Sequence, residues 1–197
     1  MKYSRGFQRI AIHAIHLYDM IKYNFHVYGR ENMPEGGAVV CANHTQWADP
    51  PMLAVAIGAK HDIAIMAKKE LFEIKGLAPL IRSLGAFPVD RGAADIKSIK
   101  TAIQAVQDGR KLMIFPEGTT KNAGGEAKEG AAMIALRCKA PIVPVYISPD
   151  KKFRSRVNIV VGKPYMPERL GRGKDAYREV SDDIMRRIYE LKDTIEK

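Results

Sequence analysis

The chain has 197 residues, 46% of them apolar, and a formal net charge of +10. That length suits one domain and that apolar share suffices for a core, which excludes a disordered or low-complexity chain. The basic excess sits at both ends, with five basic and one acidic side chain in residues 1–30 and thirteen and eight in 151–197, so an anionic partner is favoured, whether lipid, nucleic acid, nucleotide or an acidic carrier protein.

From the N-terminus, Phe7, Ile10, Ala14, Leu17 and Ile21 recur at spacings of three and four and predict a helix. Its uncharged run extends only from Ile10 to Tyr18, whereas a bilayer-spanning helix needs about 20 apolar residues. No small-residue cleavage site follows a long apolar run, so no signal peptide is expected. Lys2, Arg5, Arg9 and Lys22, mixed with Tyr3, Phe7, Tyr18 and Tyr23, suit the interfacial layer of a membrane. A helix packed on its own domain shows the same stripe. Residues 1–23 are therefore expected to form an amphipathic membrane-interfacial helix, and residues 24–197 a single domain.

Strands are predicted at residues 24–29, 38–42, 63–67, 85–89, 112–115, 142–147 and 157–161. Pro34-Glu35-Gly36-Gly37 makes the turn into the second strand. Helices are predicted from Pro50 to near Gly58, over 96–106 with Gly109 as the stop, over 131–137 and over 175–195. Residues 68–84 read as a broken helical stretch interrupted at Gly76 and Pro79. Strands alternating with helices imply an α/β layered domain whose central sheet is largely parallel and flanked by helices. Cys41 in a strand and Cys138 in a helix make neither a metal spacing nor a disulfide framework, which fits a reducing compartment.

Asn43-His44-Thr45-Gln46-Trp47-Ala48-Asp49-Pro50 joins the second strand to the next helix. A histidine and an aspartate five positions apart at such a turn can meet. The carboxylate then accepts the proton of one ring nitrogen and leaves the other free to take a proton from a substrate hydroxyl. Asp49 before Pro50 is equally an ordinary helix start. Gly85-Ala86-Phe87-Pro88-Val89-Asp90-Arg91-Gly92 puts an arginine just past a strand, at the edge where α/β folds bind ligands. There it can grip a phosphate by two parallel hydrogen bonds, or pair with Asp90 or Glu117. In Phe115-Pro116-Glu117-Gly118-Thr119-Thr120-Lys121 a third strand runs into a polar turn. Glu117 there can hold a substrate hydroxyl or orient Arg91, and Gly118 permits close backbone approach.

Other candidates are weaker. His13 and His16 lack a third metal ligand at suitable spacing, and His26 and His61 lack a local partner. Gly124-Gly125 lacks the flanks of a P-loop. Lys151-Lys152-Phe153-Arg154-Ser155-Arg156 could touch nucleic acid, anionic lipid or a carrier protein.

In order and together, Asn-His-x4-Asp, Gly-x-x-Pro-Val-Asp-Arg, Phe-Pro-Glu-Gly-Thr and the strand Ile142-Val143-Pro144-Val145 resemble the glycerolipid acyltransferase family that includes 1-acylglycerol-3-phosphate acyltransferases. The resemblance covers about residues 38–147. It implies His44 as base, Asp49 as its orienting partner, Arg91 as phosphate ligand, Glu117 and Gly118 lining the acceptor site with Thr119 and Lys121 beside them, and Pro144 shaping the floor. Many members carry serine where this chain has Gln46, and Glu-Gly-Thr-Arg-Ser where it has Thr120 and Lys121, so Lys121 fits a phosphate contact and a solvated loop lysine equally. The expected activity is transfer of a fatty acyl group from a thioester, on coenzyme A or acyl carrier protein, to lysophosphatidic acid at the cytosolic face of an anionic phospholipid membrane. Neither metal nor bound cofactor is expected, nor a nucleic-acid partner. Alternatives are glycerol 3-phosphate or another lysolipid as acceptor, and a basic membrane- or nucleic-acid-binding module in which the dyad is incidental. Cys41 is a candidate nucleophile by its nearness to His44, and a core residue by its neighbours.

Overall fold

The structure is a computed structural model that describes residues 2–90, 95–118, 128–168 and 175–194. Its strands are β1 (Asn24–Tyr28), β2 (Ala38–Ala42), β3 (Ile63–Lys68), β4 (Ala86–Val89), β5 (Lys111–Ile114), β6 (Ile142–Ile147) and β7 (Arg156–Val161). They form one sheet in the order β1-β7-β6-β2-β5-β3-β4. The five strands from β6 to β4 are parallel, whereas β7 runs antiparallel to β6 and β1 runs parallel to β7. The reversal at β7 has a local cause: a short loop joins it to β6, and a short loop can only turn the chain back, while parallel neighbours need a longer crossover.

The helices are α1 (Arg5–Lys22), α2 (Asp49–Ile57), α3 (Leu77–Ser83), α4 (Ile96–Gln107), α5 (Gly130–Cys138) and α6 (Asp175–Glu190). All five residues of β2 are buried because helices cover both sheet faces. Ala38, Val40 and Ala42 pack with Met52, Leu53 and Ile57 of α2, while Val39 and Cys41 pack with Ala105, Ile134 and Ile184 from α4, α5 and α6. The carboxyl ends of β2, β3, β4, β5 and β6 thus share one edge of the sheet, and the loops leaving them meet there.

Several boundaries move from the expected ones for physical reasons. Pro79 does not interrupt the helical stretch; it lies in the first turn of α3, where a missing N–H is no loss. β5 starts at Lys111 rather than Leu112, because the buried Lys111 ammonium donates to the carbonyls of Pro34 (2.5 Å) and Gly36 and so ties down the preceding turn. α6 ends at Glu190, and Leu191–Thr194 tightens to a 3-10 turn.

The first helix packs on α2 with the face opposite to its apolar stripe. Gln8, Ile12 and Asp19 are the buried residues of α1. The Gln8 amide donates to the carbonyls of Ile63 (2.9 Å) and Leu84 (2.6 Å) and accepts from Ile63 N–H (3.0 Å), and Arg5 pairs with Asp62 at 2.8 Å. Ile10, Leu17 and Ile21 of the stripe are 69%, 60% and 70% exposed. Among the described residues no helix is long and apolar enough to cross a membrane.

Candidate active site

Asn43, the first residue past β2, is buried and spans to the end of β6. Its amide donates to Ile147 O (2.9 Å) and accepts from Ile147 N–H (2.8 Å). This cross-link fixes where the chain leaves the sheet. His44 follows, its ring stacked on Phe115 at 4.4 Å between centroids and its N–H donating to Glu117 Oε2 at 2.8 Å.

The turn then brings Asp49, at the start of α2, back under the imidazole. Nδ1 of His44 lies 3.0 Å from Asp49 Oδ2, and the same oxygen accepts from Thr45 N–H (2.6 Å) and Gln46 N–H (2.7 Å). The other oxygen, Oδ1, is 2.7 Å from the Lys151 ammonium. The Asp49 side chain is wholly buried, whereas His44 keeps 15% of its side chain exposed. Burial alone would raise the Asp49 carboxyl, but the bonds from His44 and Gln46 and the Lys151 cation outweigh it and hold the carboxyl below the usual carboxylate range. A carboxylate that accepts from Nδ1–H leaves Nε2 as the proton acceptor, so the arrangement can serve as a general base toward a hydroxyl at the sheet edge.

Glu117 and Gly118 lie at the end of β5, next to His44. Glu117 is fully buried: Oε2 holds the His44 backbone and Oε1 accepts from the Tyr189 hydroxyl of α6 at 2.8 Å. These bonds brace the backbone of the histidine against α6. Gly118 has φ +72°, and a Cβ there would come within 3.0 Å of the Lys128 side chain. Pro144 is buried within β6, in register with Cys41, and its ring lies against Gly162. This puts it inside the sheet, behind the loops that carry His44 and Glu117. Arg91, Thr119, Thr120, Lys121 and Gly124-Gly125 lie outside the described residues. Asp90, beside Arg91, pairs with Lys69 at 2.5 Å. An apolar cleft of about 260 Å³ opens beside Phe115, lined in part by Met66, Ile99, Ile114, Met133 and Ile134.

Cys41 is fully buried, and burial pushes its thiol far up, away from the thiolate a nucleophile needs. His16 packs edge-on against Phe25 at 6.0 Å, and His26 contacts Asn24 Oδ1 at 2.7 Å. His61 is buried, which pushes its ring pKa down. Among the described residues no group of three or more His, Cys, Asp or Glu is gathered to hold a metal.

The pairing of Lys151 with Asp49, the part played by Tyr189 and the anchoring role of Asn43 leave no signal in the sequence. Lys151 opens a run of basic and aromatic residues that reads as exposed. In the structure Lys152, Phe153 and Arg154 are exposed and Lys151 alone of the four is buried. No local signal separates it from its neighbours, since what buries it is the arrival of Asp49 from a distant segment.

The family model described as Acyltransferase matches residues 24–148 of the chain. A 1-acyl-sn-glycerol-3-phosphate acyltransferase of Bacillus subtilis is 33% identical over 179 residues, which is 87% of this chain and 89% of that protein. Another of the same description from Streptococcus pneumoniae is 35% identical over 149 residues, 72% of this chain and 55% of that protein. The crystal structure of the 1-acyl-sn-glycerophosphate acyltransferase from Thermotoga maritima superposes with a TM-score of 0.70 at 25% identity, covering 95% of this chain and 78% of that one.

Proposed function

The chain belongs to the acyltransferase family, and on that premise we propose that it moves a fatty acyl group from a thioester to the free hydroxyl of lysophosphatidic acid, giving phosphatidic acid. The observation that carries this reading is the His44–Asp49 pair at the carboxyl edge of the sheet, with Nδ1 engaged and Nε2 left to accept a proton. His44 takes the hydroxyl proton as that oxygen attacks the thioester carbonyl. The tetrahedral adduct collapses with cleavage of the carbon–sulfur bond, and the departing thiolate recovers the proton from His44. A thioester is already activated, so no acyl-enzyme is needed, and the depth of Cys41 fits that economy.

The donor is acyl-CoA or acyl carrier protein, and the apolar cleft beside Phe115 suits an acyl chain. Arg91 is the proposed phosphate ligand, with Thr119 and Lys121 proposed as further substrate-binding residues. Glu117 supports the base by holding the His44 backbone. Residues 1–23 act as the membrane-interfacial element and 24–197 as the catalytic domain. The outward apolar stripe of α1, flanked by basic side chains, suits shallow seating in the cytosol-facing leaflet of an anionic membrane.

The test is thioester-dependent acylation of a small panel: lysophosphatidic acid, glycerol 3-phosphate, a zwitterionic lysolipid and an acceptor without phosphate. Fastest turnover on lysophosphatidic acid is the expected outcome. Turnover confined to glycerol 3-phosphate or to the zwitterionic lysolipid reassigns the acceptor, and no turnover on any acceptor defeats the reading.

A further inference from the structure

We propose that Lys151 is a positioning residue for the general base: its ammonium holds the Asp49 carboxylate ionised and in place, and that carboxylate in turn keeps His44 aimed at the acceptor hydroxyl. The inference rests on the reading of His44 as the base that accepts the hydroxyl proton. Lys151 lies within the loop between β6 and β7, and its side chain is 1% exposed. Nζ is 2.7 Å from Asp49 Oδ1, 2.9 Å from the carbonyl of Ser148 and 3.3 Å from Thr45 Oγ1. The contacts to Ser148 and Thr45 are hydrogen bonds donated by the ammonium, and the one to Asp49 is a close ion pair. A second tie joins the same two segments, from the Gln46 side-chain amide to the carbonyl of Pro149 at 2.8 Å.

The division of labour within the Asp49 carboxylate supports a role beyond cross-linking. Oδ2 faces His44 and two backbone N–H groups, and Oδ1 faces the lysine. A buried carboxylate without a cation tends to take up a proton instead, and a protonated Asp49 no longer fixes the Nδ1–H tautomer. Among the described residues, the charged groups that face the pair are Asp49 itself from α2, Lys151 from the β6–β7 loop, and Glu117 from the turn after β5, which accepts from the His44 backbone. Phe115 covers the ring with an apolar face. Removing the Lys151 charge therefore favours the protonated state of the pair as a whole, so the pair takes up its proton at higher pH.

Lys151→Met and Lys151→Arg are compared with the parent for kcat and acceptor KM between about pH 6 and pH 9, with thermal midpoints measured alongside. In Lys151→Met, kcat at neutral pH is expected to fall by about tenfold or more with acceptor KM within about twofold, and the acid limb of the kcat profile to move up by about one pH unit. Lys151→Arg keeps the charge and is expected to keep the parent limb even where its thermal midpoint falls. Should Lys151→Met fail to fold, Lys151→Gln is read in the same way. An unmoved acid limb in the folded neutral variant, or equal losses for Met and Arg that follow the thermal midpoint alone, overturns the proposal and leaves Lys151 a structural cross-link. If the parent acylates no acceptor, the functional reading fails instead. Lys151 is then judged by proton NMR of the His44 ring, whose titration moves up in the neutral variant if the lysine governs the pair and stays in place if it does not.

Discussion

Asn43 and Asp49 stand on either side of His44 and hold it by unlike means. Asn43 closes two hydrogen bonds onto the backbone of Ile147, inside a buried seam between β2 and β6. Asn43→Ala leaves a buried N–H and a buried carbonyl unpaired, at about 1–3 kcal/mol each, so urea unfolding should show a loss of roughly 2–6 kcal/mol together with a fall in kcat. A stability loss under about half a kcal/mol, or full activity, would remove Asn43 from the frame of the site. Arg91 is tested through its acceptor: Arg91→Ala should weaken phosphate-bearing acceptors by about tenfold or more beyond its effect on an acceptor without phosphate, with Arg91→Lys a partial rescue, since a point charge replaces a planar fork. Equal losses on both acceptors reject the assignment. His44 and Asp49 were legible from the sequence because one tight turn joins them, and a pairing set by local geometry leaves a local pattern. Lys151 and Tyr189 reach the site from the β6–β7 loop and from α6, and contacts made by the arrival of distant elements leave no spacing to read. Glu117 shows the limit from the other side: its motif was legible, but the bonds that tie it to His44 and Tyr189 were not.

At the scale of the element, α1 carries an apolar stripe on one side and, on the other, a packing face that contains the buried polar residues Gln8 and Asp19. Periodicity located the helix and the stripe but not which side turns inward. Packing of α1 is directed by the Gln8 bonds and by Ile12, which no hydrophobic count ranks above Ile10 or Leu17. Because Leu17 and Ile21 are exposed, Leu17→Asp and Ile21→Asp should each change stability by less than about 0.5 kcal/mol. If the stripe seats in lipid, each should weaken sedimentation with anionic vesicles on the order of tenfold, since each forfeits the transfer of one large apolar side chain. Rising salt should weaken the parent as well. Vesicle binding unchanged in both variants would detach the stripe from the membrane. The short loop between β6 and β7 is the counterpart in the sheet. Strands β6 and β7 were legible one by one, whereas their antiparallel pairing within a largely parallel sheet follows from the brevity of the connection and was not drawn from the pattern.

For the whole molecule, alternating strands and helices were enough to place the chain among α/β layered folds, while the strand order β1-β7-β6-β2-β5-β3-β4 depends on non-local pairings that composition does not encode. Global stability should also carry the mark of one misplaced charge. Asp19 is buried with Oδ2 lacking a hydrogen-bond partner, and burial, against a smaller opposing pull from Lys22, pushes its carboxyl up to about 6. A carboxyl raised on folding costs no stability below its unfolded value near 4 and costs progressively more as pH rises to about 6, where the loss levels off. Asp19→Asn should therefore be more stable than the parent by roughly 1–3 kcal/mol at pH 7, with the advantage gone below about pH 4. An advantage that does not depend on pH would rule out this charge as its source. The central claim is that His44 acts as base within a direct transfer, and it is tested most directly by kcat for thioester-dependent acylation of lysophosphatidic acid by His44→Ala, with acceptor KM taken from the same curves. The account predicts a fall in kcat of about 10²–10⁴-fold with acceptor KM nearly unchanged, and turnover within about threefold of the parent would contradict it.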